Sequence, residues 1–368
     1  MAVNNKLVIL HTRASADFSK KTIKEFLSHD SYIGDYKEED FQNILKTKKF
    51  ADSEMEIEVL SSLRGKEIYL IACSAKRNSL DLSLEENKIE LYNTIDAIKR
   101  SDVDSITLIE PYCSPSRSDR VIRRNSVGFW VHYKTLVSLG VNHIVTYQLH
   151  SDKLKTVVDP NYCFIDDIPS MYLIQEYITK KYIKNLETLY EIQKNWLFCS
   201  VDAGGEKLAK DYATSFGTDL IIAHKKRDYS KTNIIESIRI LSDTDIKDKD
   251  IWVVDDMIDT GGSICALIEE LNKREVREVN IAIVHPVFSD PATSRLQDLY
   301  KRKLINKIIA VDTIEITEKV KRDMPFLDIV SCTKLTADII TRMNNKKSLS
   351  TFFSRFNAER YLKYKENI

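Results

Sequence analysis

In the run Ile251-Trp252-Val253-Val254-Asp255-Asp256-Met257-Ile258-Asp259-Thr260-Gly261-Gly262-Ser263-Ile264, an apolar stretch ends in paired carboxylates and then in a small, hydroxyl-rich glycine turn. The apolar residues suit a strand buried on both faces, and the amphipathic stretch from Ile264 to Leu271 suits a helix. Ligands of open α/β sheets sit beyond the carboxyl ends of such strands. Gly261 and Gly262 let backbone N–H groups turn toward one point, the helix N-terminus adds partial positive charge, and Thr260 and Ser263 add hydroxyl donors. That is chemistry for a phosphate dianion. Asp255 and Asp256 would repel it, so they are better matched to a neutral diol or a hydrated divalent cation. Together these residues outline a ribose 5-phosphate. The plainer reading, in which Asp259 or Thr260 merely caps the helix, explains neither the carboxylate pair nor the glycine doublet.

Only nine glycines occur, and a second doublet, Gly204-Gly205, again follows a strand-like run ending in Asp202. Two anion-handling turns in one half suggest two phosphorylated substrates. No P-loop or dinucleotide fingerprint is present, so a nucleotide must be held another way. Beyond the apolar run Leu220–Ala223, His224-Lys225-Lys226-Arg227 places Lys225 and Arg227 on one side, where they could grip a polyphosphate or form only a solvated basic turn. His150 ends the run Ile144–Leu149, where active-site residues collect, although a strand-end histidine is commonly satisfied by a carbonyl. Phe50, Asp52 and Glu54 read as a strand entry of period two, with a ring on which an adenine could stack. Arg117 and Asp119 lie in a Pro/Ser-rich basic loop that by itself is a solvated loop with anion-binding potential.

These residues need elements to position them. Apolar runs at Leu7–Leu10, Ile68–Cys73, Ser105–Ile109, Ile144–Leu149, Leu197–Val201, Leu220–Ala223, Trp252–Val254, Ile281–Val284 and Ile308–Val311 alternate with helical periods, which means α/β with mostly parallel sheets. Helices are expected at Phe18–Leu27, Glu85–Ile98, Gly128–Leu139, Ser170–Lys194, Gly205–Phe216, Gly262–Lys273, Pro291–Lys301, Lys334–Met343 and Leu349–Phe356. At 368 residues two cores are expected. The proline- and aspartate-rich stretch Val157–Pro169 is the best crossover, predicting domains at 1–165 and 166–330, with 331–368 packing back on the first. Lys plus Arg equals Asp plus Glu at 55 each, so no global field draws in nucleic acid or an anionic membrane. The six cysteines form no C-x-x-C pair and read as reduced core residues, and no run of 18 apolar residues occurs; a soluble, cytoplasmic protein is expected.

Taken in order, Phe50-x-Asp52-x-Glu54, Arg64-Gly65, Arg117-x-Asp119, Leu149-His150, Asp202-Ala203-Gly204-Gly205, His224-Lys225-x-Arg227 and Val254–Ser263 resemble the ribose-phosphate pyrophosphokinase, or phosphoribosyl pyrophosphate (PRPP) synthetase, family over nearly the whole chain. The resemblance implies two phosphoribosyltransferase-like domains with mostly parallel central sheets. It implies transfer of the pyrophosphoryl group of ATP to O1 of ribose 5-phosphate, with Mg²⁺ as cofactor. On that likeness Asp259, Thr260, Gly261, Gly262 and Ser263 would hold the 5-phosphate, and Asp255 and Asp256 would meet the ribose hydroxyls. His150 and Asp202 would organise Mg²⁺-ATP, Lys225 and Arg227 would stabilise the transferring group, and Arg117 and Asp119 would serve the nucleotide. Phe50, Asp52 and Glu54 would hold adenine from a neighbouring subunit, implying a homo-oligomer, a hexamer by family likeness.

The chain departs from the family's pattern at Gln148, where the family usually has Asp, and at Ser118, where it usually has Gln. Ser74 to Asn78 and the loop from Arg120 to Gly128 differ as well, which bears on regulation by phosphate and ADP. Ser348, Ser350 and Phe353 are retained and suggest a phosphate site near the C-terminus. The rival readings are a non-catalytic associated subunit, which usually loses catalytic or loop residues, and a phosphoribosyltransferase, which would need neither Phe50–Glu54 nor the Lys225 and Arg227 pair.

Overall fold

A computed structural model describes residues 6–32, 34–76, 80, 82–121, 123–227, 235–242 and 244–366, without the side chains of 225–227, 235–237 and 366. The chain forms two compact units, residues 1–169 with 332–353, and 170–331 with 354–368.

In the first unit the chain runs β1 (Leu7–His11), α1 (Ala16–Leu27), β2 (Leu45–Lys49), β3 (Met55–Val59), β4 (Glu67–Ile71), α2 (Leu84–Lys99), β5 (Ser105–Glu110), α3 (Gly128–Ser138), β6 (His143–Tyr147) and β7 (Phe164–Ile168). Its main sheet is parallel, in the order β1-β4-β5-β6-β7, while β2 and β3 form a separate antiparallel hairpin. Leu70, Leu108 and Ile144 are fully buried at the centre of this sheet, which explains why its strands read as apolar runs. Strand β7, Phe-Ile-Asp-Asp-Ile, falls within the stretch expected to be a crossover. As an edge strand it buries fully only its last residues, so its polarity hid it.

The second unit contains α4 (Met171–Tyr182), α5 (Leu186–Asn195), β8 (Trp196–Ser200), α6 (Glu206–Phe216), β9 (Asp219–Arg227), β10 (Ile235–Leu241), β11 (Asp250–Ile258), α7 (Gly262–Asn272), β12 (Glu278–Pro286), α8 (Ala292–Lys301), β13 (Lys307–Val311), α9 (Glu318–Asp323) and β14 (Leu327–Val330). Its sheet order is β10-β9-β8-β11-β12-β13-β14, parallel except for β10. The single helix expected over Ser170–Lys194 is two, because Asn185 accepts the N–H of Thr188 at 2.9 Å and starts α5 afresh. Strand β11 is covered on both faces. Ile251 and Val253 belong to a core with Ile264, Leu267 and Leu271 of α7, whereas Trp252 meets the rings of Trp196 and Tyr182. Burying one such large side chain contributes about 1.5–3 kcal/mol.

The C-terminal stretch is shared between the units. Helix α10 (Thr333–Asn344) packs on α1, where Asp338 lies 3.0 Å from His29, and Asn345 donates to the Ser31 carbonyl at 3.1 Å. Residues Leu349–Phe356, expected as a helix, form only a 3-10 turn at Ser350–Phe353, and α11 (Ala358–Glu366) packs on α5 in the second unit. Thr336 donates to the Cys332 carbonyl at 2.9 Å, so the Tyr147 hydroxyl donates to Thr336 at 2.6 Å. Both side chains are buried. Tyr147→Phe should therefore destabilise the first unit by about 1 kcal/mol, read as a lower denaturant midpoint for that unit with activity at low denaturant retained.

Candidate active site

Strands β8 and β11 are neighbours, with Ser200 opposite Val254. From β8 the chain proceeds through α6 to β9 on one side, and from β11 through α7 to β12 on the other. The winding reverses between them, and the diverging connections leave a crevice at the carboxyl ends of both strands. Asp202 follows β8, while Asp255 and Asp256 lie near the end of β11. Residues half a hundred positions apart thus share one strand boundary.

Asp202 accepts the N–H of Gly204 at 2.9 Å and caps a short 3-10 turn, Ala203–Gly205. The half-buried Asp255 accepts the N–H of Asp256 at 2.9 Å. Its carboxyl is pushed well above the usual aspartate range, first by desolvation, then by the charge of Asp256 and a hydrogen bond with it, and further by Asp202. Two neighbouring carboxylates thus oppose ionisation of Asp255, which a cation there would relieve. Among the described residues no group of three or more His, Cys, Asp or Glu side chains is placed to hold a metal ion.

Beyond β11, Gly261 adopts φ +75° and starts α7 without a side-chain cap. The residue at the N-cap position is thus Gly261 rather than Asp259 or Thr260, and the turn stands at a helix N-terminus, a setting that favours an anion. A Cβ on Gly261 would approach the Cα of Ala292 at 3.7 Å, an ordinary contact, so the cost of Gly261→Ala is backbone strain of about 1–2 kcal/mol. If the variant relieves that strain by relaxing the turn, binding must restore it. The half-saturating ribose 5-phosphate concentration should rise about 5- to 30-fold, as measured by titration at saturating ATP.

Sequence reasoning missed the specific part played by Arg295, whose guanidinium donates to the Thr260 carbonyl at 2.9 Å and would lie 3.4 Å from a Cβ on Gly262. It comes from α8, so no local pattern could reveal the contact. A cleft of about 430 Å³ lies on the outer side of this turn, bounded by α7 and α8 residues including Cys265, Arg295 and Arg302. Arg302 there is paired with Glu269 at 2.9 Å and Asp298 at 3.0 Å, so its charge is already committed.

The backbone of Lys225 and Arg227 lies within β9 itself, paired with β10, rather than beyond a strand ending at Ala223. Their side chains lie outside the described residues. In the first unit, Phe50, Asp52 and Glu54 occupy the turn between β2 and β3 and not a strand of period two. The Phe50 N–H bonds the Glu54 carbonyl at 2.8 Å, Asp52 accepts the Glu54 N–H at 3.1 Å, and Ser53 has φ +76°. A local Asx turn outcompetes extension here. The Phe50 ring is 39% exposed, with Lys48 Nζ 4.2 Å from its centroid, so one face is already occupied by a cation. Arg117 is exposed and Asp119 half-buried. Between them, Ser118 accepts the Gly128 N–H at 2.9 Å through its hydroxyl and the Phe129 N–H at 3.1 Å through its carbonyl, which ties the basic loop to the start of α3. His150 is exposed, and β6 stops at Tyr147, earlier than expected, because Gln148 takes φ +48°.

The strand order of the first unit never reverses. The ends of its central strands are filled by a buried network instead: Ser74 and His132 meet the Glu110 carboxylate, and Tyr92 meets His132 at 2.8 Å. The reversal, the carboxylates and the anion turn coincide only in the second unit.

A doubly wound sheet with this switch point places the second unit among the α/β proteins whose ligand crevice lies at the carboxyl ends of the strands. The sequence model of the phosphoribosyl transferase domain matches residues 165–324, and that of the N-terminal domain of ribose phosphate pyrophosphokinase matches residues 8–140. The chain belongs to the ribose-phosphate pyrophosphokinase family. It is 28% identical over 308 residues to the ribose-phosphate pyrophosphokinase of Buchnera aphidicola subsp. Schizaphis graminum, covering 83% of this chain and 89% of that protein. It is 28% identical over 310 residues to that of Porphyromonas gingivalis, covering 84% and 89%. The crystal structure of phosphoribosylpyrophosphate synthetase from Mycobacterium smegmatis superposes with a TM-score of 0.76 at 25% identity, covering 93% of this chain and all of the other.

Proposed function

We propose that this protein is a catalytic ribose-phosphate pyrophosphokinase that makes PRPP and AMP from ATP and ribose 5-phosphate. The observation that carries the reading is the meeting of Asp202 and the Asp255–Asp256 pair at the switch point of the second unit, beside the Gly261 turn. Family membership over nearly the whole chain supports it.

In this reaction O1 of ribose 5-phosphate attacks the β-phosphorus of ATP. The bond from that phosphorus to the α-phosphate oxygen breaks, AMP leaves with the bridging oxygen, and the O1 proton is released. Asp259 to Ser263 and the α7 N-terminus hold the 5-phosphate, while Asp255 and Asp256 accept from the ribose hydroxyls. Lys225 and Arg227 are assigned to the transferring group, where positive charge is most effective. His150 and Asp202 are assigned to Mg²⁺-ATP, Arg117 and Asp119 to the nucleotide, and Phe50, Asp52 and Glu54 to adenine bound by a neighbouring subunit. When bound, Mg²⁺ supplies charge neutralisation on the phosphate oxygens.

The purified protein with ATP, Mg²⁺ and ribose 5-phosphate should form AMP and PRPP in equal amounts. Formation of ADP with no PRPP, or no reaction across a range of phosphate concentrations, would exclude this function.

Among the described residues no helix is long and apolar enough to cross a membrane, and all six cysteines are free thiols. The free thiols fit work in a reducing compartment. Near the C-terminal end of the first unit, the Ser348 hydroxyl donates to Ser350 Oγ at 2.9 Å and Arg342 holds the Ser348 carbonyl at 3.1 Å. Activity is expected to rise with added phosphate and to lose that response in Ser350→Ala; a flat titration of the unaltered protein would remove the regulatory site.

A further inference from the structure

We propose that Asp167 is a positioning residue that holds the turn presenting His150, an inference that rests on the assignment of His150 to Mg²⁺-ATP. Strand β6 ends at Tyr147, and the next residue, Gln148, has φ +48°, a conformation uncommon for a non-glycine residue. Contacts that hold the turn offset its cost. Strand β7 supplies two: the Ile168 carbonyl accepts the Gln148 N–H at 3.1 Å, and the Asp167 carboxylate accepts the Leu149 N–H at 2.9 Å.

The second oxygen of Asp167 is 3.2 Å from Lys155 Nζ, and Lys155 is also 2.9 Å from Asp152. One carboxylate thus restrains the chain on both sides of His150, at Leu149 before it and in the 3-10 turn Asp152–Thr156 after it. Asp167 is only 8% exposed, as is Leu149, so water cannot readily replace the lost bond in a variant. His150 itself is exposed, and the backbone of this turn sets where its side chain starts.

An apolar isostere should leave the Leu149 N–H without its acceptor and free the following loop. Asn can still offer an oxygen to that N–H. The test compares Asp167→Leu with Asp167→Asn, using His150→Gln as the reference. In Asp167→Leu the half-saturating Mg²⁺-ATP concentration should rise at least tenfold, with that for ribose 5-phosphate changed less than twofold. Asp167→Asn should recover most of the loss.

A second readout uses the free protein labelled with ¹³C at histidine Cε1, the His150 signal being assigned by its loss in His150→Gln. That signal should shift toward the position of a mobile histidine in Asp167→Leu and stay near its original position in Asp167→Asn. Equal rises in both substrate constants, failure of Asn to outperform Leu, or an unmoved His150 signal in Asp167→Leu would overturn the proposal. Normal Mg²⁺-ATP saturation in His150→Gln would instead overturn the assignment of His150, and the inference with it.

Discussion

Asp255→Asn should melt at a higher temperature than the unaltered protein at neutral pH and make almost no PRPP. The free protein holds Asp255 against Asp256 with Asp202 close enough to be felt, and desolvation first and those charges second raise its carboxyl pKa well above the usual range. The sign follows from proton linkage. Between the ordinary aspartate pKa of about 3.9 and the raised native one, the folded state binds more protons than the unfolded state, so stability falls as pH rises through that window. Above it the full penalty of ionising Asp255 is carried. Asn removes the penalty while keeping shape and hydrogen-bonding capacity, so the variant should lose this part of the pH dependence and gain about 2–4 °C for each kcal/mol recovered. Function runs the other way, because a neutral amide contributes no charge toward a cation and one oxygen fewer toward the ribose diol. A drop in turnover of about 100-fold or more is expected, on the scale of losing one electrostatic partner in a reacting complex. Thermal scans from pH 4 to 8, paired with PRPP assays, read both effects. A variant that is less stable at neutral pH, or that keeps normal turnover, would contradict the strained-carboxylate account.

Lys225→Ala should fold normally and lower turnover by about 1,000-fold, the scale on which a positive group at a transferring phosphoryl centre acts. The reason is that pyrophosphoryl transfer asks little covalent chemistry of the protein and much charge stabilisation. Loss confined to the half-saturating substrate concentrations would mean that Lys225 only binds the ground state. Near-normal turnover would remove Lys225 from the reaction altogether. Lys225→Arg is a useful companion, because it keeps the charge but spreads it over a planar fork, and it should recover only part of the rate.

Much of the architecture was legible along the chain because parallel strands buried on both faces are written as uninterrupted apolar runs. Strands β8, β11, β12 and β13 are all of this kind. The elements that escaped notice are those not written as continuous apolar runs. Strand β7 carries Asp166 and Asp167, the hairpin strands β2 and β3 alternate exposed lysines and glutamates with partly buried residues, and β14 is only partly buried. Helix α5 separated from α4 through the cap at Asn185 alone.

The sequence by itself determined the chemistry on offer: a carboxylate pair, a glycine turn able to take φ +75°, and a basic strand end, each a local arrangement of residue types. Only the tertiary structure decided which of these meet. Pairing of β8 with β11 brings Asp202 to Asp255, Arg295 reaches back from α8 to Thr260, and Asp167 reaches from β7 to Leu149. Sheet order arises from long-range packing, in which strands distant along the chain gain more by burying each other's faces than they lose in chain entropy. No local pattern encodes that comparison, so the ligands were readable from the sequence while their assembly was not.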